Sequence, residues 1–131
     1  MNVLTAIARI VLGALFAVAG VAAFLVTVPP PMAGLAGAFS EVYYQSHWAM
    51  FVGAIQLLIG LAFLANRFVP LALIMLAGFL YNSFAFHITM MPAGLPGPAI
   101  VVVLGYIVAR PYRSLFAPLF RARSQPTNFE A

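Results

Sequence analysis

Two histidines, His47 and His87, are the side chains of this sequence best suited to ligand chemistry. The second and third apolar runs of the chain meet at residues 66–67, so a hairpin there brings His47 close to the depth of His87. Two imidazoles at one depth on separate helices are what bis-imidazole haem ligation needs. No further ligand pattern supports a haem, and a metal needs three or four ligands where only Glu41 lies nearby. We therefore predict an outer polar cluster of Glu41, His47 and His87 that holds neither haem nor metal.

A quinone headgroup would need fewer polar side chains than a metal. Four residues within the apolar runs could donate hydrogen bonds in an otherwise apolar pocket between helices: Gln56, Tyr81, Asn82 and His87. The alternative is that Gln56 hydrogen-bonds across a helix interface and stabilises packing, which we favour because amides commonly do so between membrane helices. No arrangement of catalytic side chains is recognisable, and we assign no catalytic residue.

Small residues recur at helical spacing in the first two apolar runs. Gly53, Gln56 and Gly60 share one helix face, and Gly13 and Gly20 form a similar stripe in the first run. Small side chains allow two helices to approach closely. The four glycines are therefore predicted to be helix-packing residues.

The composition excludes several classes of protein. The chain has 131 residues, of which 65% are hydrophobic and 6% charged, whereas soluble domains are about a quarter charged. It has no cysteine, so disulfides and thiolate ligands are excluded. Its net charge of +4 comes from six arginines without an interleaved base-stacking surface, which argues against nucleic acid as a partner. The bilayer is the expected surrounding.

Four apolar runs are long enough to be membrane spans when the last is extended along an apolar face past Pro111. We place the spans at residues 10–28, 48–65, 68–91 and 97–119. A secretory signal peptide is the alternative for residues 1–28. The spans predict an all-α polytopic membrane protein, an up-down bundle of four transmembrane helices within a single domain of residues 1–123.

A short amphipathic helix is predicted between the first two spans. Apolar residues recur there at helical spacing, at Leu35, Ala38, Phe39 and Val42. Tyr43, Tyr44 and Trp48 are residue types that anchor helices at the headgroup level. The pattern predicts an interfacial helix on the outer side.

The arginines predict the orientation. All six fall on one side of the four-span topology, at positions 9, 67, 110, 113, 121 and 123. Because cytoplasmic flanks carry the positive charge, both termini are expected in the cytoplasm.

The C-terminal end is basic and then polar. Arg113, Arg121 and Arg123 are interspersed with phenylalanines and are expected to lie on the anionic leaflet or on a partner. Residues 124–131 form a polar tail in which Phe129 is the large apolar anchor. We expect this tail to contact a partner subunit.

From about residue 9 to residue 119 the chain resembles the DoxX-like family of small four-helix membrane proteins. The resemblance rests on Arg9-Ile-Val-Leu-Gly13, Gly53-x-x-Gln56-x-x-x-Gly60, Val69-Pro70-Leu71-Ala72-Leu73, and Asn82 with Phe86-His87. It implies an up-down four-helix fold in the bacterial cytoplasmic membrane and, for some members, association with quinone-linked or terminal-oxidase complexes. The family commonly has Glu at the position of Gln56, and this departure weakens transfer of a charge-dependent role.

Three functional classes follow from these features. The first is a non-catalytic accessory or scaffold subunit of a larger membrane complex, one that handles electrons or quinone. The second is a quinone-linked oxidoreductase component with a site between helices near His87. The third, a small transporter, usually has intramembrane charges or broken helices, and the sequence shows neither.

Overall fold

The computed structural model describes residues 2–123, and every regular element in that part of the chain is helical. The helices are α1 (Val3–Leu25), α2 (Gly34–Gln45), α3 (Trp48–Leu64), α4 (Val69–Thr89), α5 (Pro96–Ala109) and α6 (Arg113–Phe116). Short 3-10 turns occupy Pro92–Gly94, Arg110–Tyr112 and Ala117–Phe120. The predicted all-α class is confirmed. The polar tail, including Phe129, lies outside the described residues.

Three stretches are long and apolar enough to cross a membrane. They are α1 with 23 residues, α4 with 21, and the 29-residue stretch Pro92–Phe120. Helix α3 has 17 residues, about 26 Å at the helical rise, and it joins α2 at a bend of 84°. If this bent pair counts as one span, the total is four. The chain therefore has the helices of a multi-pass membrane protein.

Helix α1 begins seven residues before the apolar run that marked the first span. Asn2 is its N-cap, and the Asn2 side chain accepts a hydrogen bond of 2.8 Å from the Thr5 backbone N–H. The helix then includes Arg9, which is buried rather than placed at a flank. An arginine inside a helix interrupts an apolar run without interrupting the helix. The apolar run therefore begins after Arg9, although the helix begins at Val3.

The core lies where α1, α3, α4 and α5 meet. Its fully buried large side chains include Leu12 and Phe16 from α1, Ile59 and Phe63 from α3, and Val108 from α5. All five belong to one apolar cluster. Most other large apolar side chains are exposed, as expected for a surface that faces lipid rather than water.

A Schellman turn closes the connection from α3 to α4. The Arg67 N–H donates to Ala62 O at 3.0 Å and the Asn66 N–H donates to Phe63 O at 3.2 Å. Asn66 has φ 54° and Phe68 has φ 56°, both left-handed. Asparagine tolerates this conformation, so Asn66 ends α3 and permits the predicted tight hairpin.

Helix α5 stops well before the predicted end of the fourth span. It ends at Ala109, and Pro111 then lies in a 3-10 turn that leads into α6. Proline lacks the N–H that would continue the α-helical ladder. The predicted helix 97–119 is therefore a shorter helix followed by a series of tight turns.

Candidate functional site

The seam between α1 and α3 is the closest helix contact in the described chain. We use "the seam" for the contact made at Gly13, Gly20, Gly53 and Gly60. A Cβ atom built on Gly60 would stand 2.8 Å from both Ala17 Cα and Gly13 O, and one built on Gly20 would stand 2.6 Å from Leu57 N.

The glycine pairing also defines the direction of the two helices. Gly20 lies beside Gly53, and Gly13 lies beside Gly60, so α1 and α3 run antiparallel. Backbone touches backbone at both positions, and any side chain larger than hydrogen would force the helices apart. The four glycines predicted as packing residues all lie at this one interface.

Arg9 lies at one end of the seam and is only 8% exposed. Its Nη1 donates hydrogen bonds to the carbonyl oxygens of Phe63 and, at 3.4 Å, Leu64. These carbonyls belong to the last turn of α3, where helices leave acceptors without intrahelical donors and carry partial negative charge. Arg9 therefore ties α1 to the C-terminal end of α3. Arg9 Nε has no hydrogen-bond partner among the described residues.

The four candidate quinone residues lie on two helices. Gln56 is half-buried on α3, His87 is half-buried on α4, and Tyr81 is 78% exposed. Asn82 is exposed, and its Nδ2 donates to Gly78 O at 3.1 Å within the same helix. None of the four lines either of the two cavities described below, which are formed by residues between 2 and 120.

Two residues of the predicted outer polar cluster, Glu41 and His47, have different surroundings in the structure. Glu41 accepts a hydrogen bond of 3.1 Å from Gln45 Nε2. His47 has φ 62°, lies at the bend between α2 and α3, and lines a cavity of about 70 Å³ with Tyr44. Across residues 2–123, the structure has no group of three His, Cys, Asp or Glu side chains arranged for a metal ion.

His87 packs against the turn that follows α4. Its Nδ1 lies 3.2 Å from Met91 O, and a Cβ atom built on Gly94 would collide with the imidazole ring. A carbonyl oxygen only accepts, so Nδ1 is the donor in this hydrogen bond, and in the tautomer that forms it Nε2 is the acceptor nitrogen. The glycine at 94 is what allows the turn to cover His87 so closely.

Helix α2 contacts this end of α4 through Phe39, whose ring also stacks on Tyr43 within α2. The rings of Phe39 and Phe86 lie 5.4 Å apart, and those of Phe39 and Tyr43 lie 5.7 Å apart. The buried residues of α2 are the small Ala36 and Ser40, while most of its large apolar side chains are exposed. Of the apolar face predicted from the sequence, Leu35 and Val42 therefore point away from the rest of the chain, whereas Phe39 contacts α4.

The C-terminal half of α4 is poorly covered. No residue from Ala77 to Thr89 is buried. Four small or polar residues of this half, all exposed, lie within about 60° of one another around the helix: Gly78, Asn82, Ala85 and Thr89. We call these four residues the open stripe.

The polar groups of the open stripe are satisfied by their own helix. Asn82 donates to Gly78 O, and the Thr89 hydroxyl donates to Ala85 O at 2.7 Å. A Cβ atom built on Gly78 would have no neighbour within 4 Å. The spacing of i, i+4, i+7 and i+11 could have revealed the whole stripe, of which the sequence analysis named only Asn82, as a candidate quinone residue.

A groove of about 1230 Å³ lies between α4, α5 and the turns that follow α5. Its walls are mostly apolar, with Leu80 from α4, Val102 from α5 and Phe120 from the last turn. Arg110 and Arg113 also line it and are exposed. Sequence reasoning missed this groove because a continuous fourth helix would not fold residues 111–120 along its edge.

The remaining basic residues predicted to contact lipid or partner are also exposed. Arg121 and Arg123 follow the last 3-10 turn and line neither cavity. They differ in this respect from Arg113, with which the sequence analysis grouped them.

Comparisons of the chain with protein-family models, curated proteins and solved structures return no match.

Proposed function

We propose that this chain is a non-catalytic accessory subunit that packs against other membrane subunits of a larger complex through the open stripe of α4. The observation that carries the proposal is the exposed row of Gly78, Asn82, Ala85 and Thr89. Between helices in lipid, association depends on close packing and interhelical hydrogen bonds, which small and polar residues supply. Contact with a lipid tail requires neither close packing against small residues nor hydrogen bonds to polar ones.

The contrast with the seam supports this proposal. Gly13, Gly20, Gly53 and Gly60 already have neighbours at backbone distance, whereas Gly78 has none. Asn82 and Thr89 hold their hydrogen bonds within α4, so each can exchange them for one across an interface. The open stripe is suited to accept a further helix.

The proposed arrangement in the membrane has four spans in up-down order, with α2 as an interfacial helix on the outer side. Arg9, Arg67, Arg110 and Arg113 then share one end, which the positive-inside rule assigns to the cytoplasm. The resemblance to the DoxX-like family supports a bacterial cytoplasmic membrane and a complex that handles electrons or quinone.

Single-cysteine labelling tests this orientation, because the chain has no native cysteine. A membrane-impermeant maleimide should label a cysteine at position 35 from outside and leave one at position 67 unlabelled until the membrane is opened. Labelling of position 67 from outside would contradict the orientation. It would not bear on packing through the open stripe, which co-purification tests separately.

A quinone-linked oxidoreductase component is the second candidate, and His87 is the residue that favours it. With its Nδ1 proton directed to Met91 O, His87 presents Nε2 as an acceptor for a hydroxyl such as that of a quinol. Quinone extracted with the purified chain, and lost in His87→Ala but retained in Ser83→Ala on the same helix, would favour this candidate over a purely structural subunit.

Co-purification in mild detergent tests the accessory role. Gly78→Leu places a bulky side chain on the open stripe, whereas Gly97→Leu, in α5, is the matched control because a Cβ there also has no neighbour within 4 Å. We expect partner subunits with the wild-type and Gly97→Leu chains and at least tenfold less with Gly78→Leu, equivalent to about 1.4 kcal/mol. Equal recovery with all three chains would overturn the proposed interface.

A further inference from the structure

The groove between α4, α5 and residues 110–120 combines an apolar interior with two arginines. Its volume of about 1230 Å³ exceeds the 300 to 1,000 Å³ or so that is typical of pockets for small molecules. The apolar walls include Leu76, Leu80 and Val102. A hydrocarbon chain is the ligand that such an interior accommodates without leaving polar groups unpaired.

The arginines are aligned by the break in the fourth span. Residues i and i+3 eclipse each other in a 3-10 turn, and the turn Arg110–Tyr112 places Arg110 and Arg113 in this relation. Both guanidinium groups carry permanent charge and offer forked donors that match phosphate oxygens. Among residues 2–123, no acidic side chain lines the groove, so none of them neutralises either arginine there.

We propose that this groove binds one anionic phospholipid of the arginine-side leaflet. Its phosphate lies between Arg110 and Arg113, and its acyl chains lie along α4 and α5. The site requires membrane insertion of the chain but not the accessory role, so the two proposals can fail separately. Basic pockets at the cytoplasmic ends of membrane helices are a general means of holding such headgroups.

The position of the groove fits this occupant better than it fits a soluble anion. Asn2 and Thr5, at the start of α1, also line the groove and add polar groups to those of Arg110 and Arg113. Leu80 and Val102 are farther along their helices from the arginines, where acyl chains would lie. A free phosphate would use the arginines alone and leave the apolar volume unoccupied.

Native mass spectrometry of the delipidated chain, titrated with phosphatidylglycerol or phosphatidylcholine, tests the proposal. We expect the wild type to retain one phosphatidylglycerol at least tenfold more tightly than phosphatidylcholine. Arg110→Gln with Arg113→Gln should lower that retention about tenfold or more, since each basic residue contributes appreciably to attraction of an anionic lipid.

The matched control is Arg121→Gln with Arg123→Gln, which removes the same charge from exposed residues that do not line the groove. It should change retention by less than about twofold. Equal losses in the two double variants would show diffuse attraction to the leaflet and overturn a defined site. Circular dichroism establishes that both variants are folded.

A second variant tests the apolar half of the site. Ala77→Trp places a large ring into the groove from an exposed position and leaves both arginines in place. Retention of phosphatidylglycerol should fall, and inorganic phosphate should not displace the lipid from the wild type. Unchanged retention in Ala77→Trp, or displacement by phosphate, would show an anion site on the surface instead.

Discussion

The seam between α1 and α3 and the open stripe on α4 both contain small residues at helical spacing. The seam is covered by a second helix, whereas the open stripe is uncovered. At the seam, glycines on both helices bring backbone against backbone, with Gly20 beside Gly53 and Gly13 beside Gly60. On α4, Gly78 has open space around it. The difference is that the seam has its complementary helix within the chain. Small residues therefore indicate where a helix can pack, and the rest of the fold determines whether the chain itself supplies the partner.

The seam is expected to be the region most sensitive to substitution. Gly60→Leu would drive a side chain into Ala17 and the backbone at Gly13. Neither neighbour is the flexible end of a side chain, so α1 and α3 must separate and lose many dispersion contacts. We expect the free energy of unfolding to fall by about 3 kcal/mol or more. Unfolding in detergent, followed by circular dichroism, measures this.

Gly78→Leu is the informative control for the seam substitution. The same change on the open stripe should leave the free energy of unfolding of the isolated chain within about 0.5 kcal/mol of wild type. If both glycines responded alike in the isolated chain, the two faces would not differ in the way the structure indicates.

Arg9 gives the next largest expected effect. Arg9→Met keeps much of the apolar volume but removes the donor to Phe63 O and Leu64 O. Hydrogen bonds to charged groups contribute about 1.5 to 3 kcal/mol, so we expect a loss of about 2 kcal/mol. Arg67→Met changes an exposed arginine and should cost less than about 0.5 kcal/mol. Similar unfolding curves for the two variants would mean that Arg9 contributes no more than a surface charge.

Asn82→Ala is a smaller perturbation of the open stripe than Gly78→Leu, because it removes one hydrogen-bonding group and adds no bulk. Interhelical hydrogen bonds in membrane proteins contribute about 0.6 kcal/mol on average, so partner recovery should fall about threefold while the isolated chain keeps its stability. Quantitative co-purification measures this. Tyr81→Phe, one residue away and off the stripe, should recover the partner as well as wild type does, and a loss there would move the interface to another face of α4.

Deletion of residues 124–131 should have the smallest effect. Residues 1–123 should stay folded and inserted, while partner recovery falls by less than it does in Asn82→Ala. Fixing each backbone residue costs about 1 to 2 kcal/mol, which offsets most of what a short polar tail gains on a partner. Co-purification of the truncated chain checks this, and unchanged recovery would show that the tail is not a tether.

The sequence was most informative where composition and spacing act directly. Long apolar runs predicted the helices that could span a membrane, and the seven-residue spacing of Gly13 to Gly20 and of Gly53 to Gly60 is repeated in an offset of 40 along the chain. The structure relates this repeat to two antiparallel stripes that meet along their length.

The sequence was least informative about features that depend on backbone conformation or on contacts between residues far apart in the chain. Arg9 looked like a flanking charge because its acceptors, Phe63 O and Leu64 O, belong to a helix far along the chain. His47 has a left-handed conformation, which accompanies the bend between α2 and α3. Because the residue is not a glycine, the sequence gives no signal of this conformation. The groove depends on how far the chain turns after Pro111, and spacing alone does not set that angle.

The bond from Arg9 to Phe63 has a consequence for biosynthesis. The two residues are 54 positions apart, so at a synthesis rate of about 5 to 20 residues per second roughly 3 to 11 s pass between them. During that interval α1 exists without the carbonyls that accept hydrogen bonds from Arg9, and an unpaired arginine is costly to hold within hydrocarbon. The nascent α1 should therefore wait with Arg9 at the headgroup level or in the insertion machinery. Arrival of the end of α3 then supplies the acceptors, and Arg9 can be buried between the two helices.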